Sequence, residues 1–213
     1  MARSDSSSEQ DKGSEHKKRI GIFGGTFNPI HHGHLINIAL VKENFNLDLI
    51  LLVPVKDPVH KLLNGNISPD DRIKMSELAV SGIEYCKISD IEIKRESPSY
   101  TITTLEELEK IYCNDDLFLI IGSDSFNELD TWKEYKKILS GYTIIVLQRP
   151  GDIELRDDIL KIAKRVEFQK GYMIEISSSM IRDRASKGLP IKFFTADEVV
   201  NYIRDKGLYK VDY

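Results

Sequence analysis

Two histidines and a cluster of small residues near the amino end are the first residues whose types and spacing suggest chemistry. His31 and His34 flank Gly33 within Gly24-Gly25-Thr26-Phe27-Asn28-Pro29-Ile30-His31-His32-Gly33-His34-Leu35. Paired glycines let backbone N–H groups approach a phosphate closely, and a helix beginning just beyond adds its positive end. Two imidazoles at that entrance can both donate hydrogen bonds to one phosphate group. Neither common glycine-rich fingerprint is present. Gly21, Gly24 and Gly25 do not follow the G-x-G-x-x-G spacing, and no Gly-Lys-Ser/Thr occurs. A metal site is disfavoured as well, since no third ligand stands at a recognisable spacing and a helical pair would be i, i+4.

A second cluster lies near the carboxyl end, at Ile176-Ser177-Ser178-Ser179-Met180-Ile181-Arg182. Serines at a helix start usually serve as caps. Arg182 changes that reading: it stands at i+4 from Ser178 and i+3 from Ser179, so its guanidinium shares a face with the cap and can meet an anion there. Arg184 has no such setting and reads as a solvated charge.

These clusters need a scaffold, and the pattern along the chain supplies one. Apolar, β-branched runs at residues 19–24, 49–54, 117–122, 143–148 and 172–176 read as strands buried on both faces, with a weaker alternating strand at 87–94. Helical patterns lie between them. Ser68-Pro69-Asp70-Asp71 offers a cap, a proline at the first position and acids in the first turn, ahead of Ile73, Met75, Leu78 and Ala79. Residues 101–112 carry Ile102, Leu105, Leu108 and Ile111 at helical spacing. Asp130 is expected to cap a helix holding Trp132, Tyr135, Ile138 and Leu139, and Thr195 one running through Val199, Val200, Tyr202 and Ile203 to Gly207. The alternation predicts an α/β fold, a doubly wound, mainly parallel Rossmann-like sheet with helices on both faces. Ligands of such sheets bind beyond the carboxyl ends of the strands, where both clusters fall.

Composition narrows the partners. Of 213 residues, 41% are hydrophobic and 30% charged, and 30 basic against 34 acidic residues leave a net charge of −4. That balance gives no electrostatic reason to expect nucleic acid or an anionic membrane. No apolar run reaches the ~18 residues of a membrane span. Cys86 and Cys113 are far apart and in no C-x-x-C pattern, as expected of reduced thiols in a cytoplasmic protein. Residues 1–18 hold no apolar signal segment, and Asp5, Glu9, Asp11 and Glu15 speak against a transit peptide. They are expected to form a disordered tail before a single domain, residues 19–213. Monomer and homo-oligomer stay equally open.

The segment from Gly24 to Leu35 resembles the signature of the H/T-x-G-H nucleotidyltransferases, relatives of the class I aminoacyl-tRNA synthetases, with Asn28 where many members have Asp. The segment 176–182 resembles the same family's I-S-S-T-x-I-R motif, Ser179 replacing Thr. Lys74-Met75-Ser76 is similar to part of the synthetase K-M-S-K-S loop, but it sits inside a helical pattern and is coincidence. Further segments resemble the nicotinate mononucleotide adenylyltransferase branch, so the likeness spans almost all of residues 18–209. Lys56-Asp57-Pro58-Val59-His60-Lys61 is similar to its K-x-P-P-H-K, with Asp57 and Val59 departing. Ser99-Tyr100-Thr101 followed by Thr104-Leu105 is similar to S-Y-T-x-x-T-L. Trp132 matches a ring-stacking indole, and Lys133 stands where some members have a second aromatic. Arg149-Pro150-Gly151, Tyr202-Ile203 and Gly207-Leu208-Tyr209 complete the match and read as structural.

The resemblance implies transfer of AMP from ATP to nicotinate mononucleotide with release of pyrophosphate. His31, His34 and Arg182 would be catalytic. Gly24, Gly25, Thr26, Phe27, Gly122, Asp124, Ile176, Ser177 and Ser178 would hold ATP, and Lys56, His60, Lys61, Tyr100, Thr101 and Trp132 the mononucleotide. Mg²⁺ would arrive on ATP and keep its waters, without a protein cage. Nicotinamide mononucleotide or phosphopantetheine as acceptor, a dinucleotide-binding oxidoreductase and a non-catalytic nucleotide-binding regulator are the alternatives. Trp132 and the Ser99–Thr101 segment favour a pyridine mononucleotide over phosphopantetheine.

Overall fold

In a computed structural model of the chain, residues 17–56, 67–96, 98–148, 157–172 and 174–210 are described. Six strands pair in parallel: β1 (Arg19–Gly25), β2 (Leu49–Pro54), β3 (Cys86–Ile88), β4 (Asp116–Gly122), β5 (Thr143–Gln148) and β6 (Arg165–Lys170). Their order across the sheet is β3-β2-β1-β4-β5-β6. The helices are α1 (His32–Asn44), α2 (Pro69–Ala79), α3 (Ile91–Lys94), α4 (Thr101–Ile111), α5 (Ser123–Asn127), α6 (Tyr135–Gly141), α7 (Asp157–Ile162), α8 (Ser178–Ser186) and α9 (Asp197–Lys206). This is the doubly wound, Rossmann-like arrangement that the alternation predicts. Among the described residues no helix is long and apolar enough to cross a membrane.

Alternate strand residues feed two cores. Phe23, Ile50, Leu52, Phe118, Ile120, Ile145 and Leu147 face α1, α2, α8 and α9, meeting Ile38, Val41, Met75, Ala79, Ile181, Val199 and Ile203. Ile20, Ile22, Leu51, Val53, Leu119, Ile121, Ile144 and Val146 face α4 to α7, meeting Leu105, Leu108, Phe126, Ile138, Leu139 and Ile159. Burying each such side chain contributes about 1.5–3 kcal/mol. Gly21 interrupts β1 for a packing reason: a Cβ there would lie 2.7 Å from Ile120 Cδ1 and 2.8 Å from Leu47 Cδ1.

Four local expectations are corrected. The run expected as strand 172–176 is unpaired where it is described, and the sixth strand is Arg165–Lys170, whose charged residues suit a sheet edge. The alternating stretch 87–94 contributes only Cys86–Ile88 before it turns into α3. Asp130 caps no helix through Trp132: a 3₁₀ turn at Leu129–Thr131 ends there, and α6 begins after Glu134, whose φ of 52° breaks the path. Thr195 does not cap α9, because Ala196 takes that position and the Thr195 hydroxyl is used elsewhere. Ser68 does cap α2, in a reciprocal box with Asp71.

Residues 1–16, most of the expected tail, lie outside the described residues. Its last two positions are anchored: Lys17 pairs with Asp116 at 2.6 Å, and the Lys18 N–H donates to Asp115 at 2.9 Å. Cys86 is buried, and burial pushes its thiol up to about 12, far from a nucleophile's range.

The chain leaves β3 at one edge and returns as β4 against β1, so connections diverge between β1 and β4. A crevice at the carboxyl ends of these two strands is the natural ligand site.

Candidate active site

The loop joining β1 to α1 is shaped by its own side chains. Phe27 has a φ of 45°, and its wholly buried ring lies where a Cβ on Gly25 would be, 2.8 Å from Cε1. Gly25 therefore makes room for Phe27. Gly33 does the same for His31, since a Cβ there would stand 3.0 Å from His31 Nδ1. That is a packing reason for a glycine between the two histidines.

His31 is the N-cap residue of α1, and its ring stacks on His34 with centroids 3.7 Å apart. The edge of Phe27 packs against His34 at 5.3 Å. The His31 backbone N–H donates to His34 Nδ1 at 3.2 Å. A ring nitrogen that accepts carries no hydrogen, so the His34 N–H is Nε2, on the opposite edge of the ring. The helix start thus sets His34 as a donor. His32, between them, is turned aside by Phe193, whose carbonyl lies 3.0 Å from its Nδ1.

The second cluster, together with Thr195, meets the first along three successive carbonyls. Arg182 Nη1 donates to Asn28 O at 2.8 Å, Ser178 Oγ to Pro29 O at 2.8 Å, and Thr195 Oγ1 to Ile30 O at 2.7 Å. These carbonyls lie in an irregular loop that gives them no regular backbone ladder, so side chains take over. Arg182 Nη2 also donates to Ser179 Oγ at 3.1 Å. Both partners are neutral oxygens, so the guanidinium charge is not spent on a carboxylate. Ser177 caps α8 through the Met180 N–H at 3.2 Å.

A fourth clamp comes from the chain end. Tyr209 OH donates to Asn28 Oδ1 at 2.7 Å, and Asn28 is 3% exposed. Burial holds the Tyr209 phenol well above the ordinary tyrosine range, against the pull of the Arg182 charge, so it stays a donor. Tyr209→Phe leaves a buried amide oxygen unmatched and is expected to cost about 1–3 kcal/mol of stability. Chemical unfolding measures this; an unchanged midpoint would show that the clamp is idle.

On the other side of β1, Lys56 donates through Nζ to Arg95 O at 2.6 Å and through its backbone N–H to Ser99 Oγ at 3.3 Å. Tyr100 is the N-cap residue of α4, and Lys133 Nζ sits 4.3 Å over its ring. Trp132 is half-buried at the end of the 3₁₀ turn. Behind α4, Thr104 bonds the buried Glu92 at 2.7 Å, and Arg95 pairs with Glu107. At the end of β4, Gly122 leads into α5, whose first turn carries Asp124. A Cβ on Gly24 or Gly122 would meet nothing within 4 Å, so open space lies above both strand ends flanking the switch point.

Comparison with known proteins settles the family. A cytidylyltransferase-like family model matches residues 22–184. A "probable nicotinate-nucleotide adenylyltransferase" of Desulfitobacterium hafniense is 36% identical over 200 residues, covering 91% of this chain and 97% of its own. One of Geotalea daltonii is 38% identical over 211 residues, covering 90% and 98%. The chain belongs to the nicotinate-nucleotide adenylyltransferase family. Its fold is also that of a Plasmodium falciparum nicotinic acid mononucleotide adenylyltransferase solved with NaAD, at a TM-score of 0.71 and 24% identity, covering 90% of this chain and 97% of the other.

Ser178 and Arg182 of α8 bond the carbonyls of Pro29 and Asn28, in the loop that connects Gly24, Gly25, Thr26 and Phe27 to His31 and His34. Ile176 adjoins it, its carbonyl 3.6 Å from a Cβ on Gly33. Lys56 bonds Ser99, the residue before Tyr100 and Thr101, and the Arg95 carbonyl; Trp132 precedes Lys133, whose ammonium lies over the Tyr100 ring. His60, Lys61 and Arg149-Pro150-Gly151 lie outside the described residues. Three residues at the site carry more than the sequence reading assigns: Thr195, Tyr209 and Arg72. Arg72 left a signal, being a charge in register with Met75, Ser76 and Ala79, the buried face of α2. Thr195 reads as a helix cap and Tyr209 as structural, and neither signal points to partners 165 and 181 residues earlier.

Proposed function

We propose that the chain transfers AMP from ATP to nicotinate mononucleotide, forming nicotinate adenine dinucleotide and pyrophosphate. Two findings support this reading: membership of the nicotinate-nucleotide adenylyltransferase family, and the capture of three successive loop carbonyls by Arg182, Ser178 and Thr195. The second supports the mechanism, because it ties the loop before α1 to the start of α8, the two entrances that would share one polyphosphate.

The acceptor's phosphate is largely dianionic at neutral pH, its second pKa being near ~6. One of its oxygens attacks the α-phosphorus in line. The bond from that phosphorus to the bridging oxygen breaks, and pyrophosphate leaves with the electron pair. No protein nucleophile or general base is required, so catalysis consists of positioning and of stabilising charge. His34 donates through Nε2, with His31 stacked beside it, to the α- and β-phosphates. Backbone N–H groups of Gly25 to Phe27 serve the same region. Arg182 steadies the departing pyrophosphate. Ser178 holds the Pro29 carbonyl and offers the start of α8.

Asp124 accepts from a ribose hydroxyl beside Gly122, and Ile176 and Ser177 line the adenylate side. Lys56, with His60 and Lys61, holds the acceptor phosphate, while Tyr100, Thr101 and Trp132 hold its pyridine ring. Mg²⁺ would come with ATP, keep its waters and supply neutralisation of phosphate charge. Among the described residues no group of three or more His, Cys, Asp or Glu is placed to hold an ion.

Pyrophosphate release from ATP, measured beside nicotinate and nicotinamide mononucleotide in turn, tests the proposal. The acid is expected to be the preferred acceptor; release with neither would overturn it. Trp132→Ala is expected to raise KM for the mononucleotide about tenfold, the value of one lost stacking contact with its buried area, and to leave KM for ATP near wild type. Equal effects on both substrates would remove Trp132 from the pyridine site.

A further inference from the structure

Arg72 is the largest wholly buried side chain among the described residues. A guanidinium withdrawn from water must have its N–H groups matched. Arg72 Nη1 donates to Thr26 O at 2.9 Å and to Val55 O at 2.6 Å, and Nη2 donates to Lys56 O at 2.9 Å. Thr26 belongs to the loop beyond β1, whereas Val55 and Lys56 belong to the loop beyond β2. The sheet ladder ties these loops only as far as the Val55 N–H to Gly25 O bond at 3.0 Å. Past that bond the strands no longer bring them together, and the fork of Arg72 continues the connection.

Arg72 is itself held firmly. It lies one residue beyond the Ser68–Asp71 capping box of α2, and Tyr202 of α9 donates to Asp71 at 2.8 Å. Hydrogen bonds from Ser68 and Tyr202 keep the Asp71 carboxyl below its ordinary range despite the opposing effect of burial, so it stays an acceptor at neutral pH. The guanidinium therefore starts from a fixed helix end and reaches two loops.

We infer that Arg72 is a positioning residue, setting the separation between the loop that holds ATP and the loop that presents the acceptor. This rests on the proposed function, in which those two loops serve different substrates. Each loop keeps its own donors whether or not Arg72 is present, so each substrate still binds by itself. In-line attack needs the two in register, and a misplacement of about 1 Å can lower the rate about 100-fold. A planar fork reaches carbonyls on two loops from two separate nitrogens; a lysine ammonium has to offer its donors from a single nitrogen.

The test uses the full chain with Arg72→Lys and Arg72→Met. Turnover is read as pyrophosphate release, and dissociation constants for a non-hydrolysable ATP analogue and for nicotinate mononucleotide are measured separately by calorimetry. Arg72→Lys is expected to unfold cooperatively, to bind each ligand within about threefold of wild type, and to lose about 100-fold in kcat. Arg72→Met is expected to lose at least as much. Normal kcat in a folded Arg72→Lys overturns the inference, and so does weakened binding with kcat unchanged. If Arg72→Met fails to fold, Arg72→Lys decides; if neither variant folds, Arg72 serves folding alone and the inference is wrong. A wild-type chain without turnover overturns the proposed function and, with it, this role, whereas an active wild type matched by Arg72→Lys overturns the role alone.

Discussion

Replacing His34 with alanine is expected to lower kcat about 100- to 1,000-fold, the usual loss when one preorganised donor to a developing charge is removed. His34 Nδ1 accepts the His31 N–H at 3.2 Å, which leaves Nε2 as the donor. Stacking on His31 and the edge of Phe27 hold the ring in place, so little reorganisation is needed when phosphate charge moves. Alanine also removes a helix-cap acceptor, worth about 0.5–2 kcal/mol. His34→Asn separates the two effects, because an amide oxygen can accept the His31 N–H while the Nε2 donor is lost. The asparagine variant should recover stability without recovering turnover. Near wild-type turnover in either variant would remove His34 from the chemistry.

Arg182→Lys is expected to lose a comparable factor, about 100-fold in kcat, although charge is conserved. The guanidinium has five N–H donors in a fixed fork. One Nη1 donor holds Asn28 O at 2.8 Å and one Nη2 donor holds Ser179 Oγ at 3.1 Å, which leaves others to face an anion. Lysine cannot hold the loop and meet a phosphate at separate points. Because Asn28 also carries the Tyr209 bond, the variant should loosen the loop on which His31 and His34 stand. Pyrophosphate release at saturating ATP measures the loss. A lysine variant with full kcat would mean that Arg182 is only a charge.

Local pattern made the framework readable. Strands β2 and β5 match the apolar runs to the residue, and Ser68-Pro69-Asp70-Asp71 announces the start of α2. Both phosphate clusters were legible because their residues sit close together in sequence. Features set by distant partners were not. Thr195 reads as a cap by type, yet its hydroxyl is held by Ile30, 165 residues earlier. Trp132 fits a helical pattern, but the left-handed Glu134 separates it from α6. The edge strand β6 mixes Val166 and Phe168 with charges, so an apolar count passes over it. Tyr209 reads as structural, and only its 2.7 Å bond to Asn28 ties it to the phosphate loop.

Catalysis as proposed requires a single triphosphate to reach both the α1 and α8 entrances. A crystal structure with an α,β-methylene analogue of ATP measures this directly. His34 Nε2 and the Arg182 guanidinium are predicted to lie within hydrogen-bond distance of oxygens on the same triphosphate. An analogue seated elsewhere, with Arg182 bonded only to Asn28 and Ser179, would contradict it.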